Sequence, residues 1–527
     1  MTVNVLRKSS WLLATALFGL CAAATFITYQ PWVFTWDDSD YLWRSIAVSR
    51  GLWAGNAHLL GVGMVGLRPP VMTLLGLPWG RLDSWDDVGK CFITLAALTS
   101  LFVALSLFLL LRIGIKPVFL IIASLCLAAS LVPDPTAAVS SLAQEGPSRD
   151  WSTRAAAVAF LADGLFAWIA FATILLIPYE ARWYSASMKD AVVRGILWGL
   201  IFSLGAITKV TSFYFLVFIV PALLVIRLRQ SGLASAFVAL IAATLCSAPA
   251  TFYWLRWGQP AWNNAKNSSF GRAPAFVSTP LSQFVSNTIR ESPGLMASMI
   301  LVVAGVIYVI ARKRTALRWA NSFALLIMVG FGMVALSSSN REIRFVLPVI
   351  VTLPFLVGAL LSSEEHSVCC GSTVRAAGVI FCSLVALSVP MRHRPSRQSL
   401  TRSDAVVAQT ARCSGTRTLL ATDSPTLNVD LMRLAVILSG TSVKVDTLAY
   451  RAVSGVPIEE DFRTISESDQ VVFQHSGLYP PFANQRSEEY ERYIRQAGYT
   501  SMKATNDVSV YLIRCEGRLR SSTAYPR

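Results

Sequence analysis

The run CFITLAALTSLFVALSLFLLL, residues 91–111, holds no charged side chain. At 1.5 Å per residue, a helix of this length spans about 30 Å, the thickness of a bilayer's hydrocarbon core. A soluble helix keeps a charged face for water, and here only scattered Thr and Ser interrupt the apolar surface. Similar runs fall on either side of it, at 11–29, 117–132, 157–178, 195–208, 212–226, 233–250, 294–311, 319–337, 345–362 and 373–390. The pattern predicts a polytopic all-α membrane protein of about eleven spans. The short runs 195–208 and 212–226, parted by Lys209, read as two spans meeting at a tight turn, because together they exceed what one tilted span needs. The first run follows Arg7 and Lys8 and extends to the interfacial aromatics Tyr29 and Trp32, so it reads as an uncleaved helix, not a signal peptide.

The whole composition agrees. Of 527 residues, 54% are hydrophobic and only 14% charged, with mean hydropathy +0.53. A soluble chain of this length needs more charge to cover its surface. The net charge of +16 comes without a basic stripe interleaved with stacking aromatics, which argues against nucleic acid. It fits Lys and Arg placed in cytoplasmic loops. With the N-terminus inside, Arg7, Lys8, Arg112, Lys116, Arg182, Lys189, Arg194, Arg227, Arg229, Arg312, Lys313, Arg314, Arg318 and Arg375 all fall in inside loops. The longer segments 30–90, 133–156 and 251–293 then fall outside, as does everything after the last span.

Residues 1–390 therefore read as a transmembrane module and 391–527 as a soluble, non-cytoplasmic domain. After Pro390 the sequence turns polar, with strand patterns at 417–421, 443–445, 470–474 and 509–513 and helix patterns at 403–411, 427–438 and 485–497. That alternation predicts an α/β domain. It holds no Gly-rich phosphate loop and no nucleophile motif, and His475, the one histidine beyond His393 at its start, reads as a lone structural side chain. The domain is expected to shape an acceptor site. None of the nine cysteines has metal-ligand spacing. Cys413 and Cys515 lie near the ends of the domain, where they either pair in an oxidising compartment or remain two separate thiols.

The most unusual polar cluster is Trp36-Asp37-Asp38-Ser39-Asp40-Tyr41, just past the first span. Three carboxylates this close repel one another and need a helix N-terminus, a cation or a proton. Asp37 or Asp38 could cap a helix running through Tyr41, Ile46 and Ser49. Alternatively, a carboxylate at the membrane surface can deprotonate an acceptor or hold a divalent cation against a phosphate leaving group. Arg68, Lys209, Arg341 and Arg344 fall on the same side as this cluster. Each is either a headgroup-level anchor or a phosphate ligand.

In this arrangement the chain resembles the GT-C-type glycosyltransferases, which include protein O-mannosyltransferases and the bacterial aminoarabinose transferase of lipid A. Asp37-Asp38-Ser39-Asp40-Tyr41 is similar to their first-loop acidic motif, and Arg68-Pro69-Pro70-Val71 to the Lys-Pro-Pro-Leu motif that follows it. Ala162-Asp163-Gly164-Leu165-Phe166 resembles the acidic element opening the fourth span. Gly205-Ala206-Ile207-Thr208-Lys209 resembles the family's Gly-x-x-x-Thr-Lys element, and Arg344-Phe345-Val346-Leu347-Pro348 its late Arg-Tyr-x-Leu-Pro element. The five matches occur in order over residues 11–390.

The resemblance implies a GT-C-like module in the plasma (inner) membrane that moves a hexosyl- or pentosyl-type sugar from a polyprenyl-phosphate donor to a cell-envelope acceptor. It implies Asp37 as the acceptor-activating carboxylate, with Asp38 and Asp163 as further acids. Asp163 has a second reading as an ordinary helix-start residue, which would leave Asp150 or Glu145 as the acid. Arg68 with Lys209 or Arg344 would hold the carrier phosphate, and Asp40, Tyr41 and Arg341 would line the site. Asp at 38 in place of Glu shortens the reach; Arg at 68 in place of Lys favours bidentate contact. No nucleotide or redox cofactor is called for, and metal use stays open. Trp254, Trp257, Trp262 and Phe270 suit either an interfacial flap over the donor or a plain aromatic anchor. Three other readings stand beside the transferase: a lipid-linked sugar flippase or transporter, a polysaccharide ligase or polymerase using Arg256, Arg272 and Arg290, and a catalytically dead scaffold that has kept the fold.

Overall fold

The computed structural model describes residues 15, 36–66, 68–131, 162–183, 187–269, 281–282, 285–286, 293–310, 316–337, 343–362, 397–411, 417–424, 427–452, 455–478 and 481–514. The expected spans 11–29 and 373–390, the outside segment 133–156, Cys413 and Cys515 lie outside these residues. So do Arg341, the side chains of Asp37, Asp38 and Arg344, and Glu145, Asp150, Phe270, Arg272 and Arg290.

The chain divides into two compact units, one of 1–29, 65–72 and 92–392, the other of 30–64, 73–91 and 393–527. In the first unit each hydropathy run from 91 to 362 has its helix: α3 (Trp85–Ile113, after α1 and α2 described below), α4 (Pro117–Leu131), α5 (Ala162–Arg182), α6 (Met188–Thr208), α7 (Ser212–Arg256), α9 (Pro293–Ile310), α10 (Ala316–Ser337) and α11 (Ile343–Ser362). Among the described residues, six of these are long and apolar enough to cross a membrane. The expected loop 251–293 begins as helix instead, through the end of α7 and then α8 (Gln259–Ser269).

α5 is the centre of this unit. Its residues from Asp163 to Pro178 are all buried, and α6, α7, α10 and α11 pack on it. A helix apolar on every face finds its stable place inside such a ring. Phe171 of α5 meets Phe355 of α11 with ring centroids 5.3 Å apart.

The turn at Lys209 is present: α6 ends at Thr208 and α7 starts at Ser212. A 45-residue helix would run about 67 Å if straight. Gly232, at φ 80° and ψ 173°, breaks it. The halves run in opposite directions. Arg227, near the end of the first half, reaches Asp190 at the start of α6. In the second half, Ala239 and Ala243 lie beside Gly195 and Gly199, further along the same helix. There a Cβ on Gly195 would stand 2.3 Å from the Ala239 carbonyl oxygen, and one on Gly199 would stand 2.4 Å from that of Ala243. Small residues four apart allow this backbone approach, the usual solution for helices packing in lipid. Ser203 Oγ donates to the Cys246 carbonyl at 3.0 Å alongside.

The second unit contains α1 (Trp36–Trp53) and α2 (Ala57–Met64). They form a close hairpin, because a Cβ on Gly51 would meet Leu60 N at 2.4 Å and one on Gly63 would meet the Arg44 carbonyl at 2.9 Å. With them is a five-stranded sheet in the order β2-β1-β3-β5-β4. Its strands are β1 (Arg417–Leu420), β2 (Lys444–Thr447), β3 (Gln470–Gln474), β4 (Thr500–Thr505) and β5 (Val508–Leu512). The first three are parallel; β5 and β4 close the edge antiparallel. The helices are α12 (Arg397–Thr410), α13 (Val429–Ser439), α14 (Ile458–Glu467) and α15 (Ser487–Gln496). Apolar side chains cover both faces of the sheet, around Val472 and Val510 on one and Val471 and Tyr511 on the other. β4 and α14 were not expected. β4 is a half-exposed edge strand without apolar alternation, and α14 is mostly polar behind Pro457.

Candidate functional site

Three of the motif elements meet in the first unit. Asp163 lies in the first turn of α5, where the positive helix end favours a carboxylate. Lys209 closes α6 in extended conformation, its N–H bonded to the Gly205 carbonyl at 3.0 Å. Its ammonium donates to Asp163 Oδ1. The same ammonium sits 4.6 Å from the Phe345 ring and 5.8 Å from Phe166. Both charged side chains are largely buried, 17% exposed for Lys209 and 8% for Asp163. Asp163 is therefore both a helix-start residue and the counter-ion of Lys209.

The end of α7 ties in two further pieces. Tyr253 OH donates to the Arg68 carbonyl at 3.5 Å, and Trp254 Nε1 donates to the Ala206 carbonyl, within the Gly205–Lys209 element, at 3.2 Å. Trp254 and Trp262 both pack edge-on against Phe213, at 5.2 and 6.0 Å. The aromatic segment expected as a flap or an anchor thus packs beside the Lys209 turn. Among the described residues the Lys209 ammonium lies against one carboxylate, Asp163, and two rings, Phe166 and Phe345. An anionic ligand could share that cation without first ordering it. A small cavity lies one turn deeper, lined by Phe166, Thr173, Phe202, Gly205, Ser212 and Phe215 among others.

Asp37, Asp38, Asp40 and Tyr41 belong to the second unit, on α1. The helix expected through Tyr41, Ile46 and Ser49 is formed. Asp40 Oδ1 accepts from Arg44 Nε at 2.7 Å, and Tyr41 is buried. Arg344 opens α11 next to Phe345. Among the described residues no three His, Cys, Asp or Glu side chains gather as a metal-donor set.

A second charge cluster was not foreseen. Arg194 and Arg227, read from the sequence as loop cations, are buried and paired. Glu180 of α5 accepts from Arg194 at 2.9 Å, from Trp198 Nε1 at 3.3 Å and from Arg227 at 3.5 Å. Asp190 holds Arg194 at 2.8 Å and Arg227 at 3.2 Å. Two carboxylates and two guanidiniums thus clasp α5, α6 and the first half of α7. This clasp lies at the opposite end of α5 and α6 from Asp163 and Lys209. Asp190 and Arg194, four apart on α6, carry the one spacing signal; that Glu180 and Arg227 join them is revealed only by a pairing of spans.

No protein-family profile and no curated protein matches the chain. A solved structure does, the crystal structure of ArnT from Cupriavidus metallidurans bound to undecaprenyl phosphate. The two share 12% sequence identity, with a TM-score of 0.54 over 98% of this chain and 99% of that one. The chain therefore has the fold expected from its motifs, a polytopic GT-C-like helical module with a C-terminal α/β domain.

Proposed function

We propose that this chain is a glycosyltransferase that takes a sugar from a polyprenyl-phosphate donor and passes it to a cell-envelope acceptor on the non-cytoplasmic face of the inner membrane. The observation that carries this reading is the meeting of Asp163, Lys209 and Phe345 in one aromatic-walled site, in a chain whose fold matches an undecaprenyl-phosphate-bound transferase end to end. A polyprenyl tail stays in the bilayer while its phosphate rests at the interface, so a cation fixed at the end of a span is well placed to receive it. The sugar arrives already activated by that phosphate. The protein need only orient donor and acceptor and stabilise the leaving phosphate.

In this reading Lys209, with Arg68 and Arg344, holds the phosphate, and Asp163 aims the ammonium. Asp37 activates the acceptor by taking its proton, with Asp38, Asp40 and Tyr41 beside it and Arg341 near the late motif. The sugar is of hexosyl or pentosyl type. The N-terminus is cytoplasmic, the α/β domain outside. Along the chain the transmembrane module is 1–390 and the α/β domain 391–527, with segments 30–64 and 73–91 of the first outside loop grouped with the latter.

The test is sugar transfer from a radiolabelled polyprenyl-phosphate donor pool in membranes carrying wild type or Asp37→Asn, which keeps size and removes charge. Loss of transfer at normal protein level supports the reading. Full transfer by the variant removes Asp37 from the chemistry. No transfer by either protein across a range of donors turns the reading towards a lipid-linked sugar transporter.

A further inference from the structure

Helix α1, which carries the acidic motif, is bonded to α13 of the α/β domain at two points within the second unit. Trp43 Nε1 donates to Asp430 Oδ1 at 3.2 Å, and Arg50 donates to the Ile437 carbonyl. The two points lie seven residues apart on both helices, so α1 and α13 run parallel and in register for two turns. The first point is built from charged groups. Two guanidiniums lie over the Trp43 ring, Arg44 at 4.5 Å and Arg433 at 5.7 Å. Arg433 also bonds Asp430 Oδ1 at 3.2 Å and the Val445 carbonyl of β2 at 3.2 Å, which ties this point to the sheet. Arg44 in turn holds Asp40 of the acidic motif. At the second point Arg50 also bonds the Leu82 carbonyl at 2.6 Å and Asp83 at 3.1 Å.

We infer that α13 is a clamp that sets the position of the acidic-motif helix, with Asp430 as a positioning residue acting through Trp43. The inference rests on the glycosyltransferase reading for its effect on rate, but the clamp itself is open to test without it. Asp430 is held above the usual carboxylate range, at about 6, by burial and by the Asp40 carboxylate, against the pull of Arg433, Arg44 and the Trp43 N–H. The clamp therefore also responds to mild acid. The groups facing Asp430 are Asp40 and Arg44 from α1 and Arg433 from its own helix.

The experiment compares full-length wild type, Asp430→Ala, Trp43→Phe and Asp430→Asn in lipid nanodiscs by amide hydrogen exchange, by binding of undecaprenyl phosphate, and by transfer from the radiolabelled donor pool. Asp430→Ala should speed exchange across residues 40–53 by roughly tenfold, with Trp43→Phe in the same direction and β1 and β3 unchanged. Both should lower kcat by roughly tenfold while leaving undecaprenyl phosphate affinity unchanged, because the acidic helix and not the lipid site has moved. Asp430→Asn keeps an acceptor for Trp43; it should retain protection and rate and lose their dependence on pH near 6. Unchanged exchange in both Asp430→Ala and Trp43→Phe overturns the clamp. Faster exchange with a wild-type kcat overturns the positioning role. Wild type without transfer from any donor overturns the glycosyltransferase reading and the effect on rate with it, while exchange still decides the clamp.

Discussion

Replacing Glu180 by glutamine tests the reading of the buried charge clasp. Glu180 and Arg227 are each 1% exposed, and Arg194 is nearly as buried. In the wild type two carboxylates face two guanidiniums. The glutamine amide could still accept one hydrogen bond, but Arg194 and Arg227 would then share Asp190 alone, leaving one buried positive charge without a counter-charge. Removing one partner of a buried pair costs about 3–5 kcal/mol, because the other charge stays desolvated. At roughly 2–4 °C per kcal/mol for large domains, the melting temperature should fall by about 6–20 °C. Melting is followed in detergent or nanodiscs by tryptophan fluorescence, to which Trp198, a donor to Glu180, contributes. The double variant Glu180→Gln with Arg227→Gln restores the balance and should recover most of the loss, a coupling well beyond additivity. A single variant melting within about 2 °C of wild type would refute the argument. So would a double variant that loses the sum of both single effects.

Further outcomes follow from the other contacts. Lys209→Met leaves the buried Asp163 carboxylate without its cation and should lower both protein level and transfer, whereas adding Asp163→Asn should restore the level but not the transfer; blotting and the radiolabel assay separate the two. Gly199→Val places a branched side chain where the Ala243 carbonyl is 2.4 Å away and should cost about 1–3 kcal/mol, read as a lower melting temperature with α5 contacts intact. For Asp430 the folded value of about 6 lies above the ordinary aspartate value of 3.8, so the folded state binds the extra proton. The stability this contributes is present below about pH 4 and is lost as pH rises through 6, at most about 3 kcal/mol. Exchange protection of α1 should fall over that window in wild type and stay level in Asp430→Asn.

Most of the helical module was legible because uncharged runs long enough to cross a bilayer have few other uses. Even the tight turn at Lys209 was readable from two short runs around one charge. The meeting of Asp163 with Lys209 was legible only as motif order; that they form one ion pair needed the packing of α5 against α6. Arg194 and Arg227 misled for a physical reason. A cation counted toward sidedness looks the same in sequence whether it lies in headgroups or is folded inward onto Glu180. In the α/β domain the buried strands showed through their apolar runs. β4 stayed hidden because an edge strand with both faces half in water needs no such pattern. The grouping of residues 30–64 and 73–91 with the α/β domain had no local signal, since Trp43 and Arg50 find their partners 387 residues away.

Gly232 bears on how the protein is made. The two halves of α7 are joined by a single backbone reversal, with Arg227 bonded across it to Ser235 Oγ at 3.1 Å. No loop separates them that could wait on one side of the bilayer while the second half is synthesised. The first half also brings a guanidinium that is costly in lipid until Glu180 and Asp190 meet it. Insertion of the two halves as one hairpin, against α5 and α6 already in place, would let Arg227 meet Glu180 and Asp190 at once. The order of synthesis, α5 then α6 then both halves of α7, is the order in which each buried charge finds its counter-charge.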